Sequence, residues 1–263
     1  MRQLFSHPDA YLGRCGRLDC AVVERRIPGA PGFMRGLRAM FVSDTHVLRR
    51  TAQRDIDALV GRIAAQSPDL LLLGGDYGDR AADAVRLFDA MRALKPGLGA
   101  FGVWGNNDAE AWDDANALRD AMAKAGLRLL VNESARIDLD GGALYIGGVD
   151  ERKFGHPSAR GLYPQAAAPD AFRVLLSHYP CMPDLAPDLM LSGHTHGGQF
   201  NLLGVTPFTI GFERILRRDI AALAVGGLHE IDGMQLLVSK GVGASRIQWR
   251  VGARPEIDLL TFG

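Results

Sequence analysis

The 263-residue chain is poor in cysteine, has no long apolar run and carries no excess charge of either sign. Its three cysteines, Cys15, Cys20 and Cys181, form no C-x-x-C pair. An odd number without a framework argues for reduced thiols in a cytosolic protein rather than a disulfide-stapled fold. A redox pair of Cys15 and Cys20 is the less favoured alternative. No apolar stretch reaches the length of a transmembrane helix. The N-terminal stretch carries Arg2, His7, Asp9 and Arg14 and lacks the apolar core of a signal peptide. Thirty basic residues balance thirty acidic ones, leaving no net field to make nucleic acid the main partner. No fixed-period repeat and no stretch of linker composition is present. The expectation is one cytoplasmic domain over residues 1–263, with an extension and edge strand in 1–36 and its core motifs in 37–200.

Strand and helix patterns alternate in the first half. Leu37 to Ser43, Asp69 to Leu73 and Ala100 to Trp104 read as buried strands. Ala52 to Ala65 repeats Ile56, Leu59, Val60 and Ile63 at the spacing of one helix face. Ala81 to Leu94 and Glu110 to Ala125 read as two further helices, the first stopped by Lys95–Pro96–Gly97 and the second closed by Gly126. Such alternation predicts a mostly parallel sheet. The second half is strand-rich. Hairpins are expected at Ala135–Leu139 with Ala143–Val149, and at Val225–Ile231 with Gln235–Val238. Arg173 to Ser177, Leu189 to Ser192 and Ile257 to Thr261 complete the strands, so a second sheet should pack on the first.

Five strand ends carry residues that bind hard or borderline metals: Asp44 with His46, Asp76, Asn106, His178, and His194 with His196. Ligands of α/β sheets gather outside the carboxyl ends of strands, which brings these distant positions to one rim. Residues i and i+2 of an extended strand end point the same way, as Asp-x-His and His-x-His require. Singly, each of these residues has an ordinary reading as a turn cap or a satisfied buried group. Together they suit two cations about 3.5–4 Å apart, which can neutralise a phosphate ester and acidify a water. Mixed nitrogen and oxygen donors without thiolate favour Mn, with Fe or Zn as alternatives.

The segments Asp44-x-His46, Gly75–Asp76, Gly105–Asn106, Ser177–His178 and Gly193–His194–Thr195–His196 resemble the five ordered motifs of the calcineurin-like metallophosphoesterases. Ser192–Gln199 and Gly252–Ile257 are similar to a bacterial branch that includes UDP-2,3-diacylglucosamine pyrophosphohydrolases. The resemblance implies an α/β fold, a four-layer α/β/β/α sandwich of two mixed sheets flanked by helices. It implies one divalent metal ion on Asp44, His46, Asp76 and His196, and a second on Asp76, Asn106, His178 and His194, with Asp76 bridging. The activity it implies is hydrolysis of a phosphodiester or pyrophosphate bond by a metal-bridging hydroxide, on a phosphate-ester small molecule that includes a nucleotide-linked lipid sugar among the candidates. A broad phosphomonoesterase and a non-catalytic metal-binding scaffold are the alternatives.

One position departs from the family. Its third motif usually reads Gly-Asn-His-Asp, whereas this chain has Gly105–Asn106–Asn107–Asp108. Asn107 can donate a hydrogen bond but cannot deliver a proton at neutral pH. Good leaving groups are therefore expected to be favoured, since a positioned general acid contributes roughly 10²–10⁴-fold. Asn107 and Asp108 remain the weak candidates for catalytic roles beside the metals. His156 and His229 are candidate replacement acids, although surface or core histidines are the ordinary reading; His7 lies before the fold. Phe200 to Phe212 is mostly apolar and follows the metal rim, with Arg214, Arg217 and Arg218 next. Packing on the sheet is the simpler expectation. A lip touching lipid, with peripheral contact at the inner membrane face through 200–212, is the alternative. Arg246, Arg250 and Arg254 recur at spacing four and are expected on an ordinary solvated surface rather than in a phosphate clamp.

Overall fold

The computed structural model describes residues 11–163, 170–181, 185, 187–208, 210 and 221–263. Its elements in chain order are β1 (Leu12–Arg14), β2 (Ala21–Ile27), β3 (Arg38–Val42), α1 (Gln53–Ala64), β4 (Leu70–Leu73), α2 (Ala81–Met91), β5 (Ala100–Gly102), α3 (Asn106–Ala111), α4 (Ala115–Lys124), β6 (Arg128–Leu129), β7 (Glu133–Leu139), β8 (Gly142–Gly148), β9 (Ala171–Leu176), β10 (Leu189–Ser192), β11 (Gly227–Ile231), β12 (Met234–Val238), β13 (Trp249–Val251) and β14 (Glu256–Phe262).

Strands β3 to β6 form a parallel run in which the crossovers are α1, α2 and the α3–α4 pair. The C-terminal β14 joins antiparallel to β3, and β2 closes the edge beside β14 in parallel. This is one mixed six-stranded sheet, with β2 at one edge and β6 at the other. The second six-stranded sheet runs β11-β12-β10-β9-β8-β7. Its centre, β8-β9-β10-β12, is parallel, and β7 and β11 pair antiparallel at the two edges.

Apolar patterning explains the layers. The run Leu70–Leu73 is buried on both faces, as a central parallel strand requires. Between the sheets, Phe41, Leu72 and Val103 of the first meet Ile146, Val174 and Leu191 of the second. Ile56, Leu59, Val60 and Ile63 of α1 and Leu87, Phe88 and Met91 of α2 cover the other face of the first sheet. Each fully buried aliphatic side chain of this kind contributes about 1.5–3 kcal/mol. The outer face of the second sheet packs Tyr145, Leu175, Met190 and Leu236 against Leu162, Tyr163, Leu185 and Leu223. Among the described residues its cover includes a 3₁₀ turn, Ala221–Val225, and no α-helix.

Three differences from the sequence expectations matter for the site. The single helix expected over Glu110 to Ala125 is two helices. Trp112 is extended, with φ −113° and ψ 145°, and Asp114 caps α4 by accepting a hydrogen bond from the Ala117 N–H. The third strand also ends early, at Gly102, so α3 begins at Asn106 itself. A short two-stranded ribbon, β1 with β13, was not anticipated.

Candidate metal centre

All seven candidate ligands lie just beyond carboxyl ends of neighbouring parallel strands. Asp44 and His46 follow β3, Asp76 follows β4 and Asn106 follows β5. His178 follows β9, and His194 and His196 follow β10, in the facing sheet. The Gly74 N–H donates to Val42 O and the Asp44 N–H to Gly75 O, which ties the β3 and β4 turns together. Asp44, His46, Asp76, His194 and His196 all have positive φ, between 41° and 68°. Non-glycine residues adopt this region at a cost of order 1–3 kcal/mol, and such positions concentrate at functional sites.

Two donor groups result. Asp44, His46 and His196 offer ligand atoms within 4.8 Å of one another, as do Asp44, Asp76 and His178, and all of these residues are buried. His46 Nε2 stands 3.2 Å from His196 Nε2, and His194 Nδ1 stands 3.3 Å from His178 Nε2. Asn106 Oδ1 is 3.1 Å from His194 Nδ1. Asp76 Oδ2 lies 3.5 Å from His46 Nε2 and 3.4 Å from His178 Nε2, so one oxygen faces both groups. Imidazole nitrogens turned toward each other and toward carboxylates are the arrangement that divalent cations require. The donor set therefore fits a pair of such ions.

The surrounding shell orients the donors. His178 Nδ1 donates to Gly74 O across 2.8 Å, which leaves Nε2 for the site. Asp79 Oδ1 lies 3.5 Å from His46 Nδ1, with the same effect. Ser43 Oγ and the His194 N–H both donate to the Asp44 carboxylate. A Cβ added at Gly193 would collide with Ser43 Oγ and Asp44 Oδ2, so only glycine fits there.

Charge in the cluster is strongly coupled. Burial alone would depress His178, but the Asp76 carboxylate and the Gly74 carbonyl overcome it and push it up to about 10. Burial would raise Asp76, yet the His178 and His46 rings hold it well below the usual carboxylate range. Burial, then the neighbouring Arg250 and His46, depress His196. Burial and the nearby Asp76 push Asp108 up to about 7.

The two residues of the altered third motif have distinct surroundings. The Asn107 N–H donates to Asp76 Oδ1 across 2.9 Å, and its carboxamide lies 3.0 Å from His46 Nδ1. Asn107 therefore faces the cluster. Asp108 is buried and accepts from the N–H groups of Asp76, Tyr77 and Gly105. It ties the β4 turn to the start of α3. His156 lies on an exposed turn, its N–H bonded to Asp150, and His229 pairs with Leu236 on edge strand β11. Neither is among the hydrogen-bond partners of the cluster.

Two residues escaped the sequence reading. Tyr179 Oη donates to Asn106 Oδ1 at 3.2 Å, and its ring lies 4.0 Å from that of His194. Its only sequence signal is its place directly after His178. Arg250 is the larger correction. Expected on a solvated surface, it is wholly buried, with Nη2 2.9 Å from His196 Nδ1 and further bonds to the carbonyls of Gly243 and Lys240. Strand alternation in β13 turns it inward, while its spacing partners Arg246 and Arg254 are exposed.

The apolar stretch after the rim does not simply pack on the sheet. Leu202, Leu203, Val205 and Ile210 are exposed, and the Phe208 ring lies 6.2 Å from His194. Residues 209, 211 and 212 of that stretch, and Arg214, Arg217, Arg218 and His7, lie outside the described residues. No helix among the described residues is long and apolar enough to cross a membrane.

Facing carboxylate and imidazole groups at the joint rim of two mixed sheets define a metal-dependent hydrolase of phosphoester bonds. The chain belongs to the calcineurin-like phosphoesterase family, whose pattern matches residues 37–198. It is 32% identical over 236 residues to an uncharacterized metallophosphoesterase of Aquifex aeolicus, covering 86% of this chain and 85% of that protein. It is 29% identical over 201 residues to the uncharacterized metallophosphoesterase YkoQ of Bacillus subtilis, covering 73% and 72% of the two chains. It is 28% identical over 231 residues to the phosphodiesterase YaeI of Escherichia coli, covering 85% and 81%.

Proposed function

We propose that the protein hydrolyses a phosphodiester or pyrophosphate bond in a small molecule. Asp44, His46, Asp76 and His196 would hold one divalent cation, and Asp76, Asn106, His178 and His194 the other, with Mn preferred over Fe or Zn. The observation that carries this reading is the Asp76 carboxylate, whose Oδ2 faces His46 and His178 at nearly equal distances, 3.5 and 3.4 Å. Bound there, two cations would neutralise phosphoryl oxygens and acidify a water.

The chain's own residues set the rest of the chemistry. Asn107 faces the cluster where the family's histidine would stand, and its carboxamide can bond a phosphoryl oxygen but cannot supply a proton. The leaving group must then depart largely unprotonated, which favours a nucleotide phosphate or an aryl alcohol over an alkoxide. Asp108 positions Asp76 through backbone contacts and has no free face toward the substrate. The Phe208 ring, 6.2 Å from that of His194, favours a substrate with an apolar part, and a nucleotide-linked lipid sugar meets both requirements.

Turnover of bis-p-nitrophenyl phosphate with added manganese tests the proposal. Hydrolysis that requires metal and is lost in Asp76→Asn is expected. Inert protein containing two ions per chain would point to a binding scaffold instead. Faster cleavage of p-nitrophenyl phosphate than of the diester would point to a monoesterase.

A further inference from the structure

Among the described residues, most of the large exposed apolar side chains are gathered in one place. Eight large apolar side chains are exposed among the described residues, and all but Phe154 fall on three segments, 11–18, 199–210 and 241–255. These segments lie side by side. Strands β1 and β13 pair with Leu12 opposite Val251 and Arg14 opposite Trp249. Phe200 bridges to Val251, the Asn201 N–H donates to Val251 O, and the Gly252 N–H donates to Tyr11 O. Gln199 Nε2 donates to Ile247 O across 2.8 Å.

The same three segments contain five arginines and no aspartate or glutamate, in a chain of zero net charge. Arg250 is the inward one. Arg14, Arg17, Arg246 and Arg254 are exposed, and none has an ion-pair partner among the described residues. Arg14 and Arg17 join Arg50, Gly16 and Gln248 around an open cavity of about 500 Å³. Strand alternation sorts the ribbon into two faces. Leu12, Arg14, Trp249 and Val251 share the outer face, while Arg250 points from the inner face to His196.

We propose that this face docks the protein on the surface of an anionic lipid bilayer. Leu202, Leu203 and Val205 protrude from a tight turn, the shape that enters a headgroup layer rather than one that fills a groove. Trp249, on the neighbouring ribbon, adds the amphipathic ring that interfaces favour. The exposed arginines complement lipid phosphates. Charge also argues against a second copy of the same face, since a two-fold contact would oppose arginine to arginine across segments that hold no aspartate or glutamate. Docking in this way rests on the proposed phosphoesterase reading only for its use, which would be to bring the metal rim close to lipid-linked phosphates.

The test is sedimentation of the full chain with vesicles of phosphatidylcholine alone or mixed with phosphatidylglycerol. Pelleting on the anionic vesicles, reduced by salt and weak on neutral ones, is expected. Arg14→Ser with Arg17→Ser should lower partitioning about 30-fold, at about fivefold per arginine near the surface. Leu202→Ser with Ile247→Ser should abolish it. Each variant should keep the parental melting temperature and the parental rate on bis-p-nitrophenyl phosphate, so lost docking is separable from lost fold and from failure of the hydrolysis reading. Absence of pelleting, or pelleting unchanged in both double variants, overturns the proposal. So does a concentration-dependent size increase without vesicles that the same substitutions remove, because the face would then belong to a second copy.

Discussion

Arg250 Nη2 stands 2.9 Å from His196 Nδ1, with the whole guanidinium buried behind the metal rim. Its shorter remaining bonds go to the carbonyls of Gly243 and Lys240, with a longer one of 3.5 Å to His196 O, so it pins the Lys240–Gly243 turn and His196 together. Replacing it by methionine strands those carbonyls. Urea unfolding should show a loss of about 2–6 kcal/mol, at 1–3 kcal/mol for each of the Gly243 and Lys240 carbonyls. Affinity for manganese should fall 10–100-fold, as when other outer partners of metal ligands are removed. Undiminished metal affinity in a folded variant would end the idea that Arg250 orients His196.

Asn107 gives a second prediction. Asn107→His should raise turnover of alkyl phosphodiesters, by up to about 10²-fold, while changing nitrophenyl esters little. Alkyl ester cleavage gains from a proton donor, whereas nitrophenolate leaves without one. Paired rate measurements on the two ester classes check this. Equal gains on both would refute the leaving-group argument.

The Asp76–His178 pair gives a pH dependence. His178 is pushed up to about 10 in the fold, against 6.5 in an unfolded chain. In protein stripped of metal, the stability this pair contributes is complete below about pH 6.5 and is lost as the pH rises toward about 10. Ligation needs the neutral ring, so apparent metal affinity should increase over that same window. Thermal melts in chelator and titration calorimetry in buffers of different ionisation enthalpy would report the two trends. Flat profiles in both would show that His178 carries no extra proton.

Gly193→Ala is predicted to damage the site without touching a ligand. The new methyl meets Ser43 Oγ and Asp44 Oδ2, so the Asp44 carboxylate must move. Metal content measured by elemental analysis should drop below one ion per chain, while circular dichroism stays close to the parent. Two retained ions would show that the rim yields more easily than its packing implies.

Much of this site is legible in the sequence because its donors follow short buried strands and glycines. Leu70–Leu73 and Leu189–Ser192 are apolar runs whose ends announce Asp76 and His194. The α1 face is likewise written in the spacing of Ile56, Leu59, Val60 and Ile63. What could not be read depends on distant pairing. Arg250 recurs with Arg246 and Arg254 at a helix-like spacing, yet it sits in a three-residue strand whose partner is at the other end of the chain. Neither side of that ribbon is long enough to show period-two patterning by itself. The break between α3 and α4 depends on one capping residue, Asp114, inside an otherwise continuous helical pattern.

Five of the seven candidate ligands hold left-handed backbone conformations. Glycine would adopt those angles freely, so the rim is a place where activity and robustness pull in opposite directions. Selection for heat resistance alone, in chelator, should drift toward glycine at these positions and silence the protein while hardening it. Retention of aspartate and histidine there is therefore a record of what the chain is kept for, written in the conformations it would otherwise abandon.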